Sequence, residues 1–106
     1  MYYETVQRAI DYIEEHIKEN ISLYEIAQHV NFSVPHFYRL FNSVVQDTLK
    51  SYILKRKLSY ASVDLKQGKK SISEIAYEYG FESHDVFTRA FCRIFNMSPS
   101  KYRNTD

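Results

Sequence analysis

The sequence predicts an all-α fold of about seven helices, with two helix-turn-helix subdomains joined by a long linker helix. Apolar residues recur at i, i+3, i+4 and i+7 along most of the chain, which is the spacing of one helix face. Two glycines and two prolines in 106 residues are too few for the many tight turns of an all-β protein. A serine-led motif also occurs twice, 49 positions apart, which indicates an internal duplication.

The first predicted helix covers about residues 3–19. Its apolar stripe consists of Val6, Ala9, Ile10, Ile13 and Ile17. Acidic residues occupy the opposite side, and Asn20 is a suitable stop. Because an acidic surface repels phosphate groups, we expect this helix to face away from any nucleic acid.

Residues 1–47 contain the first predicted helix-turn-helix unit. The segment Ser22-Leu23-Tyr24-Glu25 has the pattern of a capping box, in which the serine caps a short helix and the glutamate reaches back to it. Asn31 suits the following turn because asparagine tolerates the left-handed conformation. Ser33 then caps a second helix over about residues 33–45. The apolar face of that helix consists of Phe37, Leu40, Phe41, Val44 and Val45.

Residues 48–67 are predicted to form the linker helix, which ends at Gly68. Its apolar stripe consists of Leu54, Leu58, Ala61 and Leu65. A helix of this length spans roughly 30 Å at about 1.5 Å per residue. Successive major-groove segments on one side of B-DNA are about 34 Å apart. One chain could therefore place the second helix of each helix-turn-helix unit, called the recognition helix below, in adjacent groove segments.

Residues 68–106 repeat the first unit. Five positions recur with an offset of 49: Ser22, Glu25, Ile26, Ala27 and Phe32 return as Ser71, Glu74, Ile75, Ala76 and Phe81. After the turn the offset becomes 50, so that Ser33, Phe37, Arg39, Phe41 and Tyr52 return as Ser83, Phe87, Arg89, Phe91 and Tyr102. The second recognition helix is predicted over about residues 83–95. Its apolar face consists of Phe87, Ala90, Phe91, Ile94 and Phe95, and Ser98-Pro99 opens a last short helix.

Charge is distributed unevenly along the chain. The net charge is only +1, but residues 1–31 carry two bases and six acids, whereas residues 32–106 carry twelve bases and seven acids. This asymmetry favours an anionic partner for one surface, although an ordinary solvated surface explains it equally well. A single cysteine excludes an internal disulfide and suits a reducing cytoplasm. No apolar run approaches the roughly 20 residues that span a bilayer, and no signal peptide is expected.

The outer faces of the two recognition helices hold the candidate DNA contacts. Helical geometry centres the first face on Pro35 and Arg39, with His36 and Tyr38 beside them. The second face centres on Asp85 and Arg89. Its flanking positions are His84, Thr88, Cys92 and Arg93. A rigid helix with a polar, cationic outer face is what a DNA major groove accommodates.

The second half, Gly80-Phe81-x-Ser83-x-x-x-Phe87-x-Arg89-x-Phe91 continuing to Ser98-Pro99-x-x-Tyr102-Arg103, strongly resembles the signature of the AraC/XylS family of bacterial transcription regulators. The likeness covers nearly the whole chain and is closest to the branch with an N-terminal DNA-binding domain. The resemblance implies asymmetric DNA sites and activation through contact with RNA polymerase. In that branch an effector-binding domain can follow, and the sequence ends at Asp106 without one, so such a domain is expected to be missing from this chain.

The resemblance also assigns DNA-contacting roles residue by residue. The family's contact positions correspond to Val34, Pro35, Tyr38, Arg39, His84, Asp85, Thr88 and Arg89. Geometry adds His36 and Arg93 as candidate phosphate or base contacts. Pro35 has no donor, so the first unit is expected to read less, or to read by van der Waals contact. Asp85 is expected either to accept a hydrogen bond from a cytosine amino group or to orient Arg89.

Other classes of function have weaker support in the sequence. A helical protein-interaction module that has lost DNA binding is the main alternative, because Pro35, Asp85 and the small net charge would all suit it. A small-molecule sensor needs a cavity, of which a densely aromatic core gives no sign. The four histidines lack metal-ligand spacing, and no nucleophile motif or glycine-rich phosphate loop occurs. We therefore expect no metal, no cofactor and no enzymatic activity.

Overall fold

A computed structural model describes residues 2–105 of the chain. This part of the protein forms seven helices. They are α1 (Tyr2–Glu15), α2 (Leu23–His29), α3 (Val34–Val45), α4 (Leu49–Gln67), α5 (Ile72–Glu78), α6 (His84–Phe95) and α7 (Pro99–Arg103). No strand occurs between residues 2 and 105, so the predicted all-α fold is confirmed.

The chain divides into two compact units, Met1–Leu54 and Lys55–Asp106, with the boundary inside α4. Helix α4 has 19 residues and is therefore about 28 Å long at about 1.5 Å per residue. Each unit has its own buried aromatic and aliphatic side chains. The finer division into a first helix-turn-helix unit (1–47), a linker helix (48–67) and a second unit (68–106) stays a prediction.

Helix α1 ends earlier than its apolar stripe predicts. It stops at Glu15 rather than near residue 19. The backbone then tightens, since the His16 N–H is shared between the Tyr12 and Ile13 carbonyls, and the Glu19 N–H bonds to the carbonyl of His16 at 2.9 Å. Ile17 nevertheless remains buried. The stripe therefore reports burial correctly, but its last member is buried from a turn.

The core of the first unit forms where α1, α2 and α3 pack against one another. Its central side chains are completely buried: Ile13, Ile26, Phe37 and Phe41. Ala9 and Ala27 are buried too, and a small side chain lets neighbouring helices approach closely. Leu40, Val44 and Val45 are half-buried at the edge of the predicted face of α3. The inner face of α3 is thus fixed by large rings.

Serine caps begin five of the helices. In each case the hydroxyl oxygen accepts a hydrogen bond from the backbone N–H three residues later, at Ser22, Ser33, Ser71, Ser83 and Ser98. The predicted capping box is complete only in the second copy, where the Glu74 carboxylate accepts from the backbone N–H of Ser71 at 3.0 Å. In the first copy Glu25 reaches the serine hydroxyl instead. Both copies therefore have the serine cap, but only the second copy has the reciprocal hydrogen bond from the serine backbone N–H to the glutamate.

The two turns adopt the left-handed backbone that the sequence predicts. Asn31 has φ of 62° and Gly80 has φ of 79° at the turns that precede α3 and α6. The same conformation ends both recognition helices, with φ of 60° at Gln46 and 61° at Asn96. Glycine is the residue that tolerates this region best, and asparagine is the next most suitable. Gln46 is therefore the strained member of the set.

The duplication extends to the geometry of the aromatic rings. Phe41 meets Tyr52 edge-on, with ring centroids 5.6 Å apart and an interplanar angle of 72°. Fifty positions later, Phe91 meets Tyr102 at 5.4 Å and 69°. These edge-to-face contacts hold the inner face of each recognition helix to the next helical segment. The two copies thus share a packing design as well as a sequence pattern.

In the second unit, the last helix, α7, is hydrogen-bonded to the C-terminal end of α4 through Arg103. The Arg103 guanidinium donates to the carbonyl oxygen of Leu65 at 2.9 Å and also to that of Lys70. These carbonyls lie at the C-terminal end of α4 and just beyond it, and the Leu65 carbonyl also accepts from the Gly68 N–H at 3.2 Å. One predicted core residue is wrong in this unit, because Ile94 is 38% exposed. Ile94 lies in the last turn of α6, beside the buried stripe formed by Phe87 and Phe91.

Candidate nucleic-acid interface

The outer face of α3 is mostly open to solvent. Pro35, His36 and Arg39 are exposed, and Tyr38 is 41% exposed. Val34 is half-buried at the first position of the helix. Since Phe37 and Phe41 anchor the opposite face, the outer side chains project from a rigid support. This arrangement agrees with the predicted placement of the first recognition face.

The exposed side chains of α3 differ in their hydrogen-bonding groups and in how freely they can move. The Arg39 guanidinium makes no ion pair within the described part of the chain, so all its donors are available. The His36 ring packs on Phe32, with centroids 4.7 Å apart, which restricts its orientation. Pro35 occupies the first turn, where a missing N–H costs no helical hydrogen bond. This face therefore offers one strong cation and a largely apolar N-terminal end.

The outer face of α6 is more polar. His84, Asp85, Arg89 and Arg93 are all exposed. The Asp85 side chain is 91% exposed, and its Oδ1 lies 3.9 Å from Nδ1 of His84. The Phe87 and Phe91 rings are completely buried on the inner side of the same helix. The second unit thus offers two guanidinium groups, one imidazole and one carboxylate on a single surface.

Asp85 and Arg89 lie one helical turn apart but do not pair. No ion pair within 4.0 Å joins them in the described residues, and neither makes a side-chain hydrogen bond there. The suggestion that Asp85 orients Arg89 is therefore not supported by this geometry. Asp85 remains free to accept a hydrogen bond from a partner, and Arg89 remains free to donate.

Thr88 is placed differently from the other predicted contacts. It is half-buried, and its hydroxyl oxygen is buried without a hydrogen-bond partner among residues 2–105. An unpaired buried oxygen costs free energy unless it gains a partner. A direct hydrogen bond from this hydroxyl to a base requires a change of side-chain rotamer. The assignment of Thr88 as a contact stays a prediction.

The sequence did not identify Lys57 as part of the support for this surface. The Lys57 side chain is buried, and its Nζ donates to the carbonyl oxygen of Tyr79 at 3.0 Å. The Tyr79 hydroxyl donates in turn to Oδ2 of Asp64 at 2.8 Å. Burial raises the pKa of Tyr79, and the neighbouring Asp64 raises it further. The sequence does indicate that Lys57 is buried, because Lys57 lies three residues after Leu54 and four before Ala61, on the apolar stripe of α4.

The described residues contain neither a metal-binding cluster nor a membrane-spanning helix. No group of three or more histidine, cysteine, aspartate or glutamate side chains between residues 2 and 105 could hold a metal ion. No helix in the same range is long and apolar enough to cross a membrane. Cys92 is a half-buried free thiol on α6.

Two repeated units, each with a capped short helix, a left-handed turn and a rigid recognition helix, define a helix-turn-helix DNA-binding domain. Comparisons with known proteins agree. The sequence pattern of a family described as a helix-turn-helix domain matches residues 26–105. The regulatory protein SoxS of Salmonella typhimurium is 34% identical over 101 residues, covering 95% of this chain and 94% of SoxS.

A longer relative and a solved structure extend the comparison. The uncharacterized HTH-type transcriptional regulator YbfP of Bacillus subtilis is 41% identical over 104 residues, which is 97% of this chain but 35% of YbfP. This chain therefore spans about a third of that relative. A crystal structure of an AraC-type transcriptional regulator from Chromobacterium violaceum superposes with a TM-score of 0.90 at 30% identity, covering 95% of this chain and 90% of that one.

The chain belongs to the AraC/XylS family of helix-turn-helix transcription regulators. The family resemblance and the all-α fold expected from the sequence are both confirmed. The function expected from them, DNA binding in transcription regulation, is confirmed at the level of the family. The relatives described are regulators rather than enzymes.

Proposed function

We propose that this chain binds double-stranded DNA sequence-specifically, with α3 and α6 in adjacent segments of the major groove. The observation that carries the proposal is the pair Arg39 and Arg89. They occupy equivalent positions on two duplicated recognition helices, both are exposed, and neither is paired within residues 2–105. An arginine on such a helix makes bidentate hydrogen bonds to guanine or contacts phosphate.

The two units are proposed to contribute unequally. On α6, Arg89, Asp85 and His84 provide donors and acceptors for base edges, and Arg93 provides a cation for phosphate. On α3, Val34 and Pro35 present apolar atoms, which suit a thymine methyl group, whereas His36, Tyr38 and Arg39 carry the polar contacts. The second unit is thus proposed to dominate sequence discrimination, with a half-buried Thr88 joining after rotation of its side chain.

The two-site arrangement is proposed from the length that the sequence predicts for the linker helix, roughly 30 Å at about 1.5 Å per residue, against the roughly 34 Å between successive major-groove segments on one face of B-DNA. We further propose that the bound protein activates transcription through RNA polymerase in the cytoplasm. An effector-binding domain outside this chain is part of that proposal, because the YbfP relative is almost three times as long.

In vitro selection of bound duplexes, followed by fluorescence anisotropy on the selected site, tests the proposal. We expect Arg89→Ala to cost about 1–3 kcal/mol on that site and Arg39→Ala to cost less. Lys69→Ala is the matched control, because Lys69 is an exposed cation outside both recognition helices. Binding of the parent protein should weaken steeply with salt, as expected for phosphate contacts.

The alternative is a protein-interaction module with the same fold. The observation that favours it is Asp85, a 91% exposed carboxylate on the face that would meet phosphate. Failure of selection to enrich any duplex at low salt would support this alternative. Equal affinities of the parent and Arg89→Ala proteins for a selected site would also contradict base reading by α6.

A further inference from the structure

The first unit contains an open groove whose lining includes only one of the proposed DNA contacts, Tyr38. Its volume is about 360 Å³, within the range of about 300–1,000 Å³ that is usual for small-molecule sites. Six residues line it: Ile21, Leu23, Tyr38, Leu49, Lys50 and Ile53. Leu49 is buried, Ile21, Leu23 and Ile53 are half-buried, and Lys50 and Tyr38 are exposed. The groove is an open surface feature, distinct from the core cavity that the aromatic residues gave no reason to expect.

The lining has a definite chemistry. Four of the six side chains are aliphatic, and only Lys50 carries a charge. Neither the Lys50 ammonium nor the Tyr38 hydroxyl has a hydrogen bond or ion pair in the described chain. No carboxylate lines the groove to neutralise Lys50. An apolar surface beside one unpaired ammonium and one unpaired hydroxyl is complementary to an amphipathic anion.

We propose that this groove binds a small amphipathic monoanion, which has an apolar body and one carboxylate or sulfonate group. The body would cover Leu23, Leu49 and Ile53, and removal of that apolar area from water would supply most of the binding free energy. The anionic group would pair with the Lys50 ammonium and accept a hydrogen bond from the Tyr38 hydroxyl. Charge complementarity distinguishes this ligand from an uncharged apolar one.

Tyr38 gives the groove a connection with DNA binding. It lines the groove and also lies on the outer face of α3, among the proposed DNA contacts. A ligand that covers Tyr38 removes one proposed contact from the approach of DNA and adds a negative charge beside it. Bound anion should therefore compete with DNA at the first unit. This consequence rests on the proposed function, whereas the ligand site itself does not.

The test uses three compounds with the same apolar body: 4-phenylbutyrate, 4-phenylbutan-1-ol and 4-phenylbutylamine. Each is titrated into methyl-labelled protein without DNA, and the methyl resonances of Ile21, Leu23 and Ile53 are followed by NMR. We expect phenylbutyrate to shift these methyls and to bind about fivefold more tightly than the alcohol, as one partly exposed ion pair predicts. The amine should bind most weakly, because Lys50 repels it.

Lys50→Gln should abolish the preference for the acid while leaving the affinity for the alcohol unchanged. Lys69→Gln is the matched control, since it removes an exposed lysine that does not line the groove. A second, smaller groove of about 160 Å³ is lined by uncharged residues that include Ala27 and Val34. It provides an internal reference, because the methyl groups that line it should show no preference for the acid over the alcohol.

Unshifted groove methyls at the solubility limit of phenylbutyrate would overturn the proposal. Equal affinities for the acid and the alcohol would overturn it as well, and would indicate a purely apolar docking surface. The competition with DNA is read separately, as a higher apparent Kd for the selected duplex in saturating phenylbutyrate but not in phenylbutylamine. An unchanged Kd would overturn the proposed competition, and the methyl titration would still decide the site.

Discussion

The Nζ of Lys57 lies 3.0 Å from the carbonyl oxygen of Tyr79, and the lysine side chain that reaches it is buried. Tyr79 is the C-cap residue of α5 and precedes the left-handed Gly80, where the chain turns toward α6. The next residue is also fixed, because the Phe81 N–H bonds to the carbonyl of Ala76 at 3.0 Å. A cation from α4 therefore helps to hold the turn that positions the second recognition helix.

Replacing Lys57 with methionine should destabilise the protein while keeping the apolar stem of the side chain. The Tyr79 carbonyl would lose a charged donor in a buried place, which costs about 1–3 kcal/mol. Urea unfolding measures the change. Lys69→Met is the control, because Lys69 is exposed and lies just beyond α4. Similar losses for the two variants would show that the hydrogen bond to Tyr79 contributes nothing.

Local patterns predicted much of the fold because the relevant interactions are themselves local. The serine caps, the turn at Gly80 and the buried rings of Phe37 and Phe87 all follow from spacing within one or two helical turns. The duplicated offset predicted that Arg39 and Arg89 hold equivalent exposed positions, and both are exposed.

The remaining features depend on partners far apart in sequence. Lys57 lies on the apolar stripe of α4, but the carbonyl that accepts its hydrogen bond belongs to Tyr79, 22 residues later, and no local pattern reveals that partner. The exposure of Ile94 depends on which side of α6 its neighbours cover. The groove beside Tyr38 likewise needs residues from α2, α3 and α4. Spacing places a side chain on a helix face, but only the tertiary structure decides what lies against it.

Gln46→Gly should stabilise the protein. Gln46 has φ of 60°, a conformation that costs a residue with a Cβ roughly 1–2 kcal/mol. Glycine removes this cost but increases the flexibility of the unfolded chain, so a net gain of about 0.5–1 kcal/mol is expected. Thermal unfolding of the parent and variant measures it.

Asn96→Gly is the matched variant for Gln46→Gly, because Asn96 is the C-cap of α6 as Gln46 is the C-cap of α3, with φ of 61°. Its gain should be smaller, since asparagine tolerates the left-handed region better than glutamine. Gln67→Gly, at the helical end of α4, should instead destabilise the protein. A larger gain at Asn96 than at Gln46 would contradict the strain assigned to Gln46.

Tyr79→Phe should change how stability depends on alkaline pH. The Tyr79 hydroxyl donates to Asp64 at 2.8 Å, and its pKa is raised above the ordinary 10.0, first by burial and then by Asp64. A raised pKa means that the folded state holds its proton more tightly than the unfolded state. The associated stability is present below the ordinary pKa and is lost as pH rises through the folded pKa.

The phenylalanine variant should therefore be less stable than the parent by about 1 kcal/mol near neutral pH, through loss of one hydrogen bond. The difference should shrink as the pH rises above about 10, because only the parent has this proton to lose. Urea titrations at neutral and alkaline pH measure both effects. Tyr77→Phe, which alters an 83% exposed side chain, controls for the loss of a phenol. A difference that grows with pH would contradict the assignment.

Asp85→Asn should change which bases the protein prefers as well as how tightly it binds. The Asp85 carboxylate is 91% exposed and unpaired with Arg89, so it can accept from a cytosine amino group beside a guanine bound by Arg89. Asparagine instead favours adenine, and the preference for cytosine at that position should fall by about 1–3 kcal/mol. Repeating the in vitro selection with the variant measures the change position by position.

Removing any negative charge near phosphate also raises affinity for all duplexes, so a control must separate charge from base reading. Glu82→Gln provides it, because Glu82 is an exposed acid just before the Ser83 cap and outside α6. Both variants should bind unrelated duplexes more tightly than the parent, whereas only Asp85→Asn should alter the selected sequence. If Glu82→Gln changed the same base pair, Asp85 would act through its charge alone, and base reading by α6 would rest on Arg89.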